Sequence, residues 1–152
     1  MVKSYTGERE ILKKQAPKLV RACDYMTRKL ITFRPDQPIG EVAEILMKKN
    51  ISGGPVIDEK GNLVGIISEG DCLKEVVRGK YLNSPNHSGL VSDHMVAKVI
   101  TIQPDMGVLE VAALFLSEKV RRFPVMEGEK LVGQISQRDV LRAISELKNE
   151  TW

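Results

Sequence analysis

The feature that most constrains this chain is a motif that it carries twice. Gly65-Ile66-Ile67-Ser68-Glu69-Gly70-Asp71 returns 68 positions later as Gly133-Gln134-Ile135-Ser136-Gln137-Arg138-Asp139. Each copy follows an apolar pair, Leu63-Val64 or Leu131-Val132, and precedes a leucine-bearing helical stretch. Each therefore reads as a strand that passes through a serine turn into a helix. Such a junction suits an anion or a hydroxyl-rich ligand: the glycine permits close approach to the strand, the serine stands among the free N–H groups of the first helical turn, and the aspartate presents a carboxylate there. A ribose has two vicinal hydroxyls that one carboxylate can accept, and a phosphate accepts from the serine and the backbone.

The same residues have a second reading. Ser-x-x-Asp before an apolar helix is also a capping box that does no more than hold the turn together. Duplication of the surroundings favours the ligand reading without excluding the cap.

Sliding the chain by 69 positions aligns Tyr25-Met26 with His94-Met95, Ile31 to Asp36 with Ile100 to Asp105, Glu41-Val42-Ala43 with Glu110-Val111-Ala112, and Pro55-Val56 with Pro124-Val125. The offset falls to 68 because the turn Asp58 to Asn62 is one residue longer than Glu127 to Lys130, a change that a surface turn tolerates. A unit of roughly 55 residues is marginal alone, so its apolar faces are expected to pack against its sister.

Each repeat predicts the order strand, helix, strand, strand, helix. The first holds a strand over Leu30–Phe33, a helix striped by Ile39, Val42, Ala43, Leu46 and Met47, a hairpin over Val56–Ile67 and a closing helix from Asp71 to Arg78 that Gly79 ends. The second holds a strand over Val99–Ile102, a stripe of Val108, Val111, Ala112, Phe115 and Leu116, a hairpin over Phe123–Ser136 and a closing helix from Arg138 to Leu147. The fold class is α+β: two β-α-β-β-α repeats packed as an internal pseudo-dimer. The expected boundaries are a helical N-terminal extension over 1–22, repeats over 23–79 and 93–148, a polar crossing over 80–92 and a tail over 149–152.

Composition excludes several functions. Hydrophobic residues make 42% of the 152 positions and charged residues 28%, which excludes extended disorder. No apolar run approaches the roughly 20 residues that cross a bilayer, and the N-terminus lacks a signal-like core, so a cytoplasmic location is expected. Cys23 and Cys72 are not repeat-equivalent and form no CxxC unit; they read as packing residues, and His87 and His94 complete no zinc ligand set. Residues 1–22 carry +4 of a net charge of +3, leaving the remaining positions at −1, and the repeats lack the basic, aromatic-laced surface of a nucleic-acid platform. No nucleophile, base or metal constellation marks an enzyme.

These motifs resemble the paired cystathionine-β-synthase (CBS) domains, or Bateman module. Tyr25-Met26-Thr27 and His94-Met95-Val96 resemble the family's lead-in, Gly54-Pro55-Val56 and Phe123-Pro124-Val125 its proline strand, and the two Gly-x-x-Ser-x-x-Asp segments its nucleotide signature. The resemblance covers about residues 24–147. It implies a regulatory, non-catalytic module that binds AMP, ADP, ATP, NAD or S-adenosylmethionine reversibly in clefts between the repeats, without a tightly held cofactor. It further implies that Asp71 and Asp139 hold ribose, that Ser68 and Ser136 face phosphate, and that the backbone at Ile31 and Ile100 with the residues before Pro55 and Pro124, Gly54 and Phe123, encloses adenine. The alternative is an assembly module whose clefts are weak or empty.

The two sites differ in charge. The second has Arg138 inside its signature and Arg121-Arg122 before Phe123, all able to meet a phosphate chain; the first has Glu69, Gly70 and Gly53-Gly54. An adenine nucleotide is expected to prefer the Ser136–Asp139 site. The apolar sides of the closing helices, Leu73 with Val76 and Val77, and Val140 with Leu141 and Ile144, predict a homodimer, and a regulated protein partner is expected beyond it.

Overall fold

The computed structural model describes residues 2–5, 20–81 and 89–151. In chain order the elements are β1 (Lys3–Tyr5), α1 (Ala22–Tyr25), α2 (Ile39–Lys49), β2 (Gly53–Ile57), β3 (Leu63–Ser68), α3 (Glu69–Tyr81), α4 (Val91–His94), β4 (Ile100–Ile102), α5 (Val108–Glu118), β5 (Arg122–Glu127), β6 (Lys130–Ser136) and α6 (Gln137–Thr151). The α+β order strand, helix, strand, strand, helix holds in both repeats, with one reduction described below. Of the helical extension expected over 1–22, residues 6–19 lie outside the described residues and Lys3–Tyr5 form a strand instead; His87 with the core of the polar crossing, and the last residue of the tail, also lie outside them.

The described chain forms two compact units. One is built from Ile31–Val99; the other joins the N-terminal segment up to Leu30 with the chain from Ile100 onward. The lead-in of each sequence repeat thus docks on the body of the other. In the second unit Ala22 N–H donates to Met106 O at 2.8 Å, Cys23 N–H to Pro104 O at 2.9 Å, and Thr27 and Gln134 exchange backbone hydrogen bonds. In the first, Val91 N–H donates to Gln37 O, Ser92 N–H to Pro35 O, both at 2.9 Å, and Val96 and Ile66 make the matching exchange.

In the second unit the sheet order is β1-β4-β5-β6, with β1 parallel to β4 and β5 antiparallel to β6. The first unit has the β2–β3 hairpin, antiparallel, and the strand expected over Leu30–Phe33 is reduced to a single bridge from Phe33 to Val56. The reason lies at the outer edge. Both segments have only one bridged residue on their inner side, Phe33 to Val56 and Ile102 to Val125, but Ile100–Ile102 also pairs in register with Lys3–Tyr5. A second ladder makes a strand of a segment that one bridge leaves irregular. The sequence reading anticipates no strand before residue 30, so it misses β1.

The helical stripes are nearly as expected. Ile39, Val42 and Leu46 are buried, as are Val108, Val111 and Phe115, but Met47 is 75% exposed and Leu116 80% exposed. Helix geometry explains both corrections. At about 100° per residue the three buried positions span about 60°, the i+4 alanine stands at the rim, and the i+8 side chain lies about 40° beyond it. The closing helices outrun their expected ends: α3 passes through Gly79 to Tyr81, and α6 extends to Thr151. A glycine inside a helix costs only about 1 kcal/mol, too little to stop one that is otherwise supported.

Helix α3 presents its expected apolar side outward and buries a carboxylate beneath. Leu73, Val76 and Val77 are all more than half exposed, whereas Asp71, Cys72 and Glu75 are buried. Glu75 is satisfied by His94 of α4, whose Nε2 lies 2.6 Å from its Oε2. In the second unit the residue equivalent to His94, Tyr25, donates its hydroxyl to Glu146 of α6. Each lead-in is thus tied to the closing helix by a different polar pair. In α6, Val140 and Ala143 enter the core and Ile144 is partly buried, leaving Leu141 exposed.

Candidate functional site

Both signature turns are built alike. Ser68 and Ser136 end β3 and β6, and helices α3 and α6 begin at the next residue, which makes each serine an N-cap and places Asp71 and Asp139 in the first turn. Ser68 N–H and Oγ–H both donate to Asp71 Oδ2 at 2.9 Å; Ser136 N–H and Oγ–H donate to Asp139 Oδ2 at 2.9 and 3.0 Å. Asp139 N–H returns a hydrogen bond to Ser136 Oγ at 3.2 Å. This is the capping arrangement, and it occupies one carboxylate oxygen. A carboxylate accepts about four hydrogen bonds, so the cap and a ribose contact are compatible on one aspartate. Asp139 Oδ1 is approached by Arg142 Nη2 at 3.5 Å, a side chain more than half exposed that water or a ligand can displace.

The signature glycines do something the sequence reading does not foresee. A Cβ at Gly133 would stand 2.6 Å from Met26 Sδ and 3.0 Å from Thr27 O; at Gly65 it would stand 2.6 Å from Met95 Sδ and 3.0 Å from Val96 O. What approaches each strand is the other repeat's methionine lead-in. The repeated Tyr-Met and His-Met pairs are the available signal, because the methionine recurs with the repeat just as the signature glycine does.

The strand before each turn sets the difference between the sites. Arg122 lies directly opposite Ser136 in the β5–β6 ladder, and Gly53 lies opposite Ser68 in the β2–β3 ladder. Arg122 is a buried polar residue, whereas Arg121 and Arg138 are exposed. The three arginines share the neighbourhood of one turn, since Gln137 N–H donates to Arg121 O at 3.4 Å and Arg138 follows in the helix.

Pro55 and Pro124 are both buried within their strands. At the positions expected to enclose adenine, Ile31 and Gly54 are in contact: a Cβ at Gly54 would lie 2.8 Å from Ile31 O and 3.1 Å from the Phe33 ring. In the second unit Ile102 replaces Phe33 and Phe123 replaces Gly54, so the aromatic ring moves to the neighbouring strand. Phe123 is fully buried and packs on Phe115 with ring centroids 4.4 Å apart. Stepping two residues back from the Ile102–Val125 bridge sets Ile100 level with Phe123. Ile31 and Ile100 are themselves half-buried.

A groove of 520 Å³ bordered by Arg34, Asp36, Asp58 and Asn62 lies at the other end of the first hairpin, away from Ser68. There Asp58 Oδ1 accepts from Lys60 and Asn62 N–H, and these turn bonds, led by that of Asn62, hold its carboxyl below the ordinary range. Its carboxylate is thus committed to the turn. Among the described residues no group of three or more histidine, cysteine, aspartate or glutamate side chains could hold a metal ion, and no helix is long and apolar enough to cross a membrane.

Two β-α-β-β-α repeats, each ending a hairpin in a serine–aspartate helix start, define a tandem α+β module with a duplicated Ser–Asp turn. The chain belongs to the CBS domain family, whose profile matches residues 22–78 and 91–146. It is 34% identical over 128 residues to the uncharacterized protein YlbB of Bacillus subtilis, covering 84% of this chain and 82% of that one. With the chloroplastic CBS domain-containing protein CBSX2 of Arabidopsis thaliana it shares 27% identity over 154 residues, 84% of this chain, and it spans only 65% of that protein's length. The crystal structure of CBSX2 in complex with AMP superposes with a TM-score of 0.73 at 28% identity, over 84% of this chain and 98% of that one. The CBS domain pair of protein MJ0100, in complex with 5′-methylthioadenosine and S-adenosyl-L-methionine, gives 0.75 at 28% identity over 86% and 99%.

Proposed function

We propose that the chain is a regulatory module that binds an adenine nucleotide reversibly at its Ser136–Asp139 turn and passes that event to a protein partner. The observation that carries this reading is the placement of Arg122 across the ladder from Ser136, at a turn whose aspartate is already oriented by its serine. Asp139 accepts from the ribose hydroxyls, while Arg122, with Arg121 or Arg138, meets the phosphate. The relatives held with AMP and with adenosyl compounds support the ligand class. The module acts by binding and carries no catalysis of its own. Both of its cysteines are unpaired, in keeping with a cytoplasmic protein.

We infer also that the working form is a homodimer. Leu73, Val76 and Val77 form an exposed apolar i, i+3, i+4 stripe on α3 that an equivalent stripe of a second copy would cover. A thermal-shift series with AMP, ADP, ATP and NAD tests the ligand reading, because a ligand at 100 times its Kd stabilises the folded state by about 2.7 kcal/mol. A rise in Tm with at least one of them is expected; no rise with any overturns it.

A further inference from the structure

The two turns occupy equivalent backbone positions and share their aspartate and a basic residue three positions after it, Lys74 or Arg142, but differ in charge at the four positions that flank the serine. Glu69 N–H donates to Ser52 O at 2.9 Å as Gln137 N–H does to Arg121 O, and Gly53 faces Ser68 as Arg122 faces Ser136. The four positions Ser52, Gly53, Glu69 and Gly70 therefore correspond to Arg121, Arg122, Gln137 and Arg138. One set carries a single negative charge and the other three positive charges. The Ser–Asp bonding that would orient a ribose acceptor is the same in both, within 0.1 Å.

Identical ribose chemistry with opposite charge at the 5′ end separates ligands by what the 5′ carbon bears. We propose that the Ser68–Asp71 turn takes an adenosine ligand whose 5′ substituent carries no negative charge, while the Ser136–Asp139 turn takes the phosphorylated nucleotide. The chain then reads two ligand classes at once. This rests on the reading that both turns bind adenosine compounds. Glu69 is exposed at the head of α3, where a carboxylate offsets the helix dipole that would otherwise draw a phosphate. Gly53 and Gly70 supply no cation where the second turn has Arg122 and Arg138, and a Cβ at Gly70 would meet only Ser68 Oγ at 3.7 Å. An arginine can therefore be built at position 70 without a clash at its root.

The test uses the full chain with ATP and adenosine as probes, read by calorimetry. Wild-type protein is expected to bind one ATP, and the ATP-saturated protein to bind one adenosine. Asp71→Ala is expected to weaken that adenosine binding by at least about tenfold, a change of about 1.4 kcal/mol, and to leave ATP binding in place. The double variant E69Q/G70R, which copies the second turn's helix start, is expected to take up a second ATP and to lose adenosine to it. Two ATP molecules of like affinity on the wild-type chain, or adenosine unable to bind once ATP is present, overturns the division while leaving nucleotide binding intact. Failure of both probes to bind overturns the underlying reading as well.

Discussion

Met26 lies over Gly133 so closely that a Cβ there would stand 2.6 Å from its sulfur, and Met95 covers Gly65 at the same distance. Because Thr27 O and Val96 O close the other side at 3.0 Å, a methionine rotamer change cannot clear the space alone. Gly133→Ala is expected to destabilise the chain by about 1–3 kcal/mol, the usual cost of overpacking. Gly40, exposed in α2 with nothing within 4 Å, is the contrast: Gly40→Ala is expected to stabilise by about 0.5–1 kcal/mol. Urea denaturation of both variants checks the opposite signs.

The exposed stripe on α3 gives the oligomer prediction. Wild-type protein is expected to sediment at twice the mass of one chain at micromolar concentration, and Val76→Glu to shift it to one chain without loss of helical signal. Of the α6 residues expected in such an interface, Val140 is in the core, so Val140→Glu is expected to unfold its unit and Leu141→Glu to leave it folded.

Thiol chemistry follows from burial. Desolvation, reinforced by Asp71 and Glu69, raises the Cys72 pKa, and desolvation with Asp24 raises that of Cys23. A raised pKa keeps both thiols protonated at neutral pH, and the thiolate is the reactive form. Alkylation is therefore expected to be slow at pH 7 and to accelerate as pH rises above 9, with Cys23, which is half-exposed, reacting before buried Cys72. Mass spectrometry of partly alkylated protein checks the order.

The duplicated register made the element order and the stripes of α2 and α5 legible, because helical and strand periods are local. What stayed hidden depends on contacts far apart in sequence. The exchange of lead-ins sets Met26 on Gly133 and Met95 on Gly65, and no periodicity within one repeat encodes it. Strand β4 exists through pairing with Lys3–Tyr5, so its shorter counterpart at Phe33 could not be told from it by composition. The burial of Glu75, where the second repeat has Ala143, depends on His94 of α4, a partner distant in sequence. At the site the Ser–Asp turns were readable from spacing. The ladder partner of each serine was not, and it is the register that sets Arg122 rather than Arg121 opposite Ser136.

The most direct measurement is calorimetry of AMP binding to wild-type, D139A and D71A proteins, each first checked for folding by circular dichroism. The account predicts that D139A weakens AMP binding by about 1.5–3 kcal/mol, through loss of charge-assisted hydrogen bonds, and that D71A leaves it unchanged. A pure capping role would cost about 1 kcal/mol of helix stability and leave affinity alone. Loss of AMP binding in D71A with D139A unaffected would contradict the assignment of the nucleotide to the Ser136–Asp139 turn.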